Sequence, residues 1–237
     1  MLIGCPITSE RIEHYLPGWL HHVHRAAEYA DVDYELIFLS PPGAEIGDLG
    51  VPAWNLHLSD DQDPVVTDRN GAYWDYGRNS KRIPHMVEIR NHLLAEVRQI
   101  GPDFFLSLDS DIFLAPETIS NLLETYRTHQ PSCWAVGAKL YMQPTGRTSP
   151  SVGIQRKDHL MRPDSDGQMI ADVIMGAKLM DPRAYGVDYE FAPQGEDIGW
   201  GRAVQKAGGQ LMWDGRVCSK HVMSLKWLDR VDPRCGY

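Results

Sequence analysis

The sequence predicts an α/β domain: a largely parallel central sheet flanked by helices, with a smaller antiparallel portion towards the C-terminal end. Three observations predict it. Apolar runs rich in strand formers alternate with stretches of helical periodicity through the first half of the 237-residue chain. One run, Phe104-Phe105-Leu106-Ser107-Leu108, is apolar at nearly every position, as expected of a strand covered on both faces. The second half mixes short strands with a single clear helix.

Leu2-Ile3-Gly4 opens the chain as a short strand running into a loop at residues 6–10. From Ile12 to Tyr29, Leu16, Leu20, Val23 and Ala27 keep helical spacing, and Pro17 suits a first turn. His21, His22 and His24 would point in different directions on that helix, which argues against a joint metal site. Tyr34 to Ser40 reads as the second strand, closed by Pro41-Pro42-Gly43. Residues 43–81 read as an irregular excursion with one short strand near Trp54 to Leu58. Its Tyr73, Trp74 and Tyr76 suit either stacking on a sugar or base, or anchoring of the loop.

Ile83 to Ile100 is a helix whose stripe is Met86, Ile89, Leu93, Leu94 and Val97, stopped by Gly101-Pro102. After the central strand, Pro116 opens another helix with Leu122, Leu123 and Tyr126 on one face. Ser132 to Tyr141 is a strand, residues 143–168 a long polar loop, and Ile170 to Met180 a strand broken at Gly176. A helix from Ile198 to Ala207 ends at Gly208-Gly209, and two short strands follow, Gln210 to Trp213 and Val217 to Val222. With no repeat and no linker, residues 1–225 read as one domain and 226–237 as a tail.

Composition narrows the function. Hydrophobic residues at 43% and charged residues at 23% are ordinary for a globular protein. A net charge of −9 argues against nonspecific binding to nucleic acid or anionic membranes. The N-terminus lacks the basic and apolar regions of a signal peptide, and no run approaches the roughly 18 apolar residues of a membrane span. A cytoplasmic setting without a membrane span is the expectation. The four cysteines show no CxxC spacing, and Cys5 and Cys133 lie in strand-like runs where buried thiols are expected.

The chemistry gathers at the end of the central strand, where Leu108-Asp109-Ser110-Asp111 runs into Ile112-Phe113-Leu114. Acidic pairs also occur at Asp31/Asp33, Asp61/Asp63 and Asp164/Asp166, but in polar surroundings that suit solvated surface. Only Asp109 and Asp111 interrupt a hydrophobic strand, where burial costs several kcal/mol unless a cation or donors compensate. Ligands of open α/β sheets collect at the carboxyl ends of strands, and carboxylate oxygens there suit hard divalent cations. Further along come Glu196 and Asp197 before a helix, then His221 in a late strand.

In that order these features resemble a GT-A fold nucleotide-sugar glycosyltransferase, nearest to glycosyltransferase family 2. The resemblance covers roughly residues 1–225. It rests on Pro6 and Thr8 after the first strand, Glu88-Ile89-Arg90-Asn91, Asp109-Ser110-Asp111, Val173 to Met180 with Gly176, Gly195-Glu196-Asp197, and His221. It implies a GT-A-like (Rossmann-like) domain that moves one sugar from a UDP- or GDP-type donor to an acceptor hydroxyl.

The resemblance implies that Asp111, Asp109 and His221 hold Mn2+ or Mg2+, with Asp109 also near the ribose or the metal's water shell. Asp197 would be the general base, implying inversion, and Glu196 would orient hydroxyls; both also suit a helix N-terminus. Pro6, Thr8, Glu10 and Arg90 would meet the nucleoside or phosphates. Ser110 and Gly176 would line the donor site, and Lys220 would offset diphosphate charge. The acceptor is open: glycan, protein side chain, lipid or small molecule. A retaining GT-A enzyme, or a silent nucleotide-sugar or glycan-binding module, remain alternatives. The haloacid dehalogenase pattern expects Thr or Val where Phe113 stands, and pyrophosphorylases expect a glycine-rich basic loop where Pro6 to Glu10 lies. The tail lacks the Gln-x-x-Arg-Trp signature of processive synthases, so single addition is expected.

Overall fold

The computed structural model describes residues 1–58, 82–143, 147–148, 152–156, 159–161 and 167–222. Strands β1 (Leu2–Pro6), β2 (Glu35–Ser40), β3 (Ala53–His57) and β4 (Phe105–Leu108) form the parallel heart of the sheet. Helices α1 (Ser9–His14), α2 (Leu16–Ala30) and α3 (Arg82–Ile100) connect them. The chain continues through β5 (Ile112–Phe113), α4 (Thr118–Thr128), β6 (Cys133–Gln143), β7 (Arg147–Thr148), β8 (Val152–Arg156) and β9 (His159–Met161). It closes with β10 (Gln168–Ala171), β11 (Val173–Ile174), β12 (Ala177–Met180), α5 (Pro182–Tyr185), α6 (Glu196–Lys206) and β13 (Gln210–Val222).

The main sheet runs β10-β13-β6-β12-β4-β1-β2-β3, with β5 beside β13 and β7 beside β6. β12 is antiparallel to both β4 and β6, and β6 is parallel to β13, so β6 and β13 run in the same direction as β4. This is the mostly parallel, GT-A-like sheet the sequence predicts, with its antiparallel part in the second half.

Strand alternation builds two cores. Ile3, Cys5, Leu36, Phe38, Leu106 and Leu108 face α2 and α4, where Trp19, Val23, Ile119 and Leu122 cover them. Leu2, Ile37, Leu39 and Phe105 face α3, α5 and α6, meeting Ile89, Leu93, Tyr185 and Trp200. Ser107, two residues from Phe105 and so on the same face, therefore points a hydroxyl towards α3. Cys5 and Cys133 are buried free thiols, as expected.

Five local expectations change. Residues 9–14 form a helix, because Thr8 accepts the Arg11 N–H at 3.3 Å as its cap, and that helix buries no residue that periodicity would reveal. The central run is two strands, since a turn at Asp109 to Asp111 hands β5 over to β13. The single strand foreseen over Ile170 to Met180 is three, because β10 pairs β13, β11 pairs β8 and β12 pairs β4. The loop over 143–168 contains β7, β8 and β9. Conversely, the two late strands are one, β13, whose register against β6 shifts between Asp214 and Cys218. Tyr73, Trp74, Tyr76, Cys235 and the tail at 226–237 lie outside the described residues, whereas β3 falls where a short strand was foreseen. Among the described residues no helix is long and apolar enough to cross a membrane.

Candidate functional site

The turn after β4 is pinned from three sides. The Asp109 N–H donates to the Gly176 carbonyl at 2.8 Å, and the Asp109 carbonyl accepts from Ile112 N–H at 3.0 Å and from the Trp19 indole at 3.2 Å. Gly176 sits at φ +76°, and a Cβ there would lie 2.6 Å from Ile112 Cδ1 and 2.9 Å from Leu140 Cδ1. Glycine thus lets β12 pass close behind the acidic turn. Pairing of β5 with β13 sets His221 opposite Ile112, and Val222 N–H donates to the Asp111 carbonyl at 2.8 Å. That register brings His221 Nε2 within 3.4 Å of Asp111 Oδ2.

Asp111 is buried between His221 and the Arg11 guanidinium, whose Nη2 lies 3.1 Å from the same oxygen. Burial works to raise its pKa, but His221 and then Arg11 pull it down to about 2. His221 moves the other way: burial opposes its charge, yet Asp111 raises its pKa. Arg11 lies over the Tyr15 ring at 4.0 Å, and its buried Nη1 has no acceptor among the described residues. Asp109 turns to α3, where Arg90 Nη2 meets Oδ1 at 2.6 Å while Nη1 donates to Ser107 Oγ at 3.4 Å. Burial disfavours the Arg90 charge, but Asp109, Tyr189, Asp197 and Glu196 together hold it protonated.

Glu196 and Asp197 form the first turn of α6. Gly199 lets α6 lie directly on the preceding loop, since a Cβ there would fall 1.7 Å from the Glu190 carbonyl oxygen. That contact fixes Tyr189, whose N–H donates to Asn91 at 2.7 Å. Lys178, wholly buried on β12, donates to Asp197 Oδ1 and, at 2.7 Å, to the Tyr189 hydroxyl. Its ammonium also lies over the Tyr189 and Trp200 rings at 5.0 and 5.3 Å. Burial acts to lower the Lys178 pKa, but Asp197 and Tyr189 raise it overall, so Lys178 stays charged. Glu196 is pushed upward, first by burial and then by the Asp197 charge.

The structure therefore pairs Asp111 with His221 and Arg11, Asp109 with Arg90, and Asp197 with Lys178, and the charges of Glu196 and Asp197 also act on Arg90. Pro6 ends β1 and Thr8 caps α1, beside Arg11; Glu10 is exposed on α1, and Ser110 sits half-buried in the acidic turn. Lys220 takes the other side of β13 from His221, close enough to His22 to help lower its pKa to about 4, burial of His22 being the larger cause. Sequence reasoning missed Arg11, Lys178 and Tyr189. Lys178 carried a usable signal: a charge inside the apolar run Val173 to Met180, the same signal that singled out Asp109 and Asp111.

Two carboxylates and an imidazole have the donor chemistry of Mn2+ or Mg2+. Among the described residues no three His, Cys, Asp or Glu side chains form a ready-made cage. Asp111 and His221, in contact with each other, would give two ligands of an open site that substrate phosphates complete, whereas Asp109 is turned to Arg90.

No protein-family model matches the chain, and no curated protein matches it in sequence. Solved structures do match in fold. S. aureus TarS 1-349 superposes with a TM-score of 0.53 at 12% identity, over 93% of this chain and 60% of that one. The same TarS piece in complex with UDP-GlcNAc gives 0.52 at 11%, over 94% and 59%. A mycobacterial protein gives 0.52 at 14%, over 96% and 69%. This chain spans about three-fifths of the TarS structure. At such identities the likeness is one of fold.

Proposed function

We propose that this protein is a nucleotide-sugar glycosyltransferase that moves one sugar from a UDP- or GDP-type donor to an acceptor hydroxyl. The observation that carries the reading is the set of three ion pairs His221–Asp111, Asp109–Arg90 and Lys178–Asp197, which place acidic, imidazole and cationic groups on the turn after β4, on the adjoining β12 and at the head of α6. A structure of similar fold holds UDP-GlcNAc, which supports a donor of that class.

In this reading Asp111 and His221, with Asp109, hold Mn2+ or Mg2+. A bound divalent ion supplies Lewis-acid stabilisation of the departing diphosphate. Arg11, beside Asp111, adds a second positive group to the donor's side of the site. Pro6, Thr8 and Ser110 line the donor's approach from the ends of β1 and β4, and Arg90 holds Asp109 in place. The Glu196–Asp197 pair supplies the base that takes the acceptor's proton, and attack opposite the leaving group inverts the anomeric centre. The acceptor meets the protein at the head of α6.

The test is a thermal-shift panel of UDP- and GDP-sugars with and without Mn2+. One donor should raise Tm only with metal, and Asp111→Ala should abolish the shift. Equal stabilisation without metal, or in Asp111→Ala, would remove Asp111 from the donor site.

A further inference from the structure

Two ion pairs and one leftover carboxylate make up the charge at the head of α6. Arg90 answers Asp109, and Lys178 answers Asp197. Glu196 stands beside the pairs with a hydrogen bond from its own backbone N–H but with no ion pair among the described residues, and it is more exposed than its neighbour. The charged groups that act on it are Asp197 beside it, Arg90 from α3 and Lys178 from β12. Elsewhere α6 packs on apolar Val173 and Leu211, and Asp172 answers Gln205 near its far end.

The family resemblance gives the acceptor's proton to Asp197; the contacts of Lys178 point elsewhere. We propose that Glu196 is the general base and that Asp197, clamped by Lys178, is a positioning residue. A proton on Asp197 would leave the wholly buried ammonium of Lys178 facing a neutral acid. A proton on Glu196 leaves both ion pairs intact and balances the cluster, with two cations against two anions. Burial and the neighbouring Asp197 charge also push Glu196 towards holding a proton, which suits a base working near neutral pH. In the step itself the acceptor O–H gives its proton to the Glu196 carboxylate. The acceptor oxygen bonds to the anomeric carbon, and the bond from that carbon to the β-phosphate oxygen breaks, its electron pair leaving with the nucleoside diphosphate. Tyr189, hydrogen-bonded to Lys178 and fixed by Asn91, holds the clamp from the other side.

This inference rests on the transferase reading, and two measurements separate their failures. The first needs no turnover: in full-length protein labelled with 13C at the glutamate carboxyls, the resonance lost in Glu196→Gln should titrate above the ordinary glutamate range. The second is hydrolysis or transfer from the donor found in the sugar panel. Glu196→Gln should lose at least about 100-fold in kcat with donor binding kept. Lys178→Met/Asp197→Asn, which removes the clamp as a pair and so guards against misfolding, should retain the acid limb of the pH profile and lose less. An ordinary titration of Glu196 overturns the proposal, as does a Glu196→Gln enzyme within threefold of wild type. A raised Glu196 titration with no turnover of any donor overturns the transferase reading, and the base assignment with it.

Discussion

Asp181 and Asp214 are buried, as Asp111 and Asp197 are, but the two sets are held in opposite ways. Asp181 caps α5: it accepts from the Arg183 and Ala184 N–H groups at 2.9 and 3.0 Å, from the Arg183 guanidinium, and from Tyr126 at 2.8 Å. Asp214 repeats the pattern at the β13 bulge, with the Arg216 N–H at 3.0 Å, the Arg216 guanidinium and the Thr125 hydroxyl at 2.7 Å. Nearly every donor comes from within three residues, and both oxygens of each carboxylate are used. Asp111 and Asp197 draw on distant elements, α1 and β13 in one case and β12 in the other, with the ion-pair contacts concentrated on a single oxygen. A carboxylate saturated by its own turn terminates a helix or holds a bulge. One held mainly by charges on distant elements ties those elements together at the proposed site.

Removing the Asp197 clamp should give the largest effect on stability. Lys178→Met deletes the cation of a buried pair and should destabilise the fold by about 3–5 kcal/mol in urea unfolding. Adding Asp197→Asn to it should recover a large part, because the uncompensated charge goes too. If the double variant is no better than the single one, packing of the lysine stem, and not its charge, dominates.

The locally saturated set should respond in stability alone. Asp214→Ala removes the acceptor of the buried Thr125 hydroxyl and one anion of Arg216, which keeps Glu124 and the Asn121 carbonyl, so a loss of about 1–3 kcal/mol is expected. Mn2+-dependent binding of the donor sugar should be as in wild type. Loss of that binding would erase the distinction between the two sets.

The same contrast explains what was legible in the sequence. The β4 carboxylates stood out because they interrupt an apolar strand, and strand and helix order followed from periodicity. Arg11 was invisible because α1 buries no side chain, so no apolar stripe announced a helix to carry it. That His221 meets Asp111 depends on β5 pairing with β13 across more than a hundred residues, which no local pattern encodes. Asp214 and Gly215 looked like the end of a strand because a bulge, read along one strand, looks like a break. Asp181 and Asp214 drew no attention, and the partners that explain them are two residues away.

Asp111→Asn should invert the Asp214 result. Arg11 and His221 hold its pKa at about 2, so stability should fall by about 1–2 kcal/mol. The metal-dependent thermal shift with the donor sugar should vanish.

Glu196→Gln carries the smallest expected change in stability, and its sign is the informative part. Burial and Asp197 raise the Glu196 pKa in the folded protein, so the folded state holds that proton more tightly than the unfolded chain does. For an acid shifted upward, the favourable contribution is complete below the unfolded value and disappears as pH rises through the folded one. At neutral pH the ionised side chain is therefore a burden that glutamine lifts. Calorimetry should show a Tm gain of a degree or two at pH 7. The gain should shrink as pH falls through the folded pKa towards the ordinary glutamate range, where wild type carries its proton. A gain that stays constant across pH would mean that glutamine helps by packing, leaving Glu196 outside the group of carboxylates held ready for a proton.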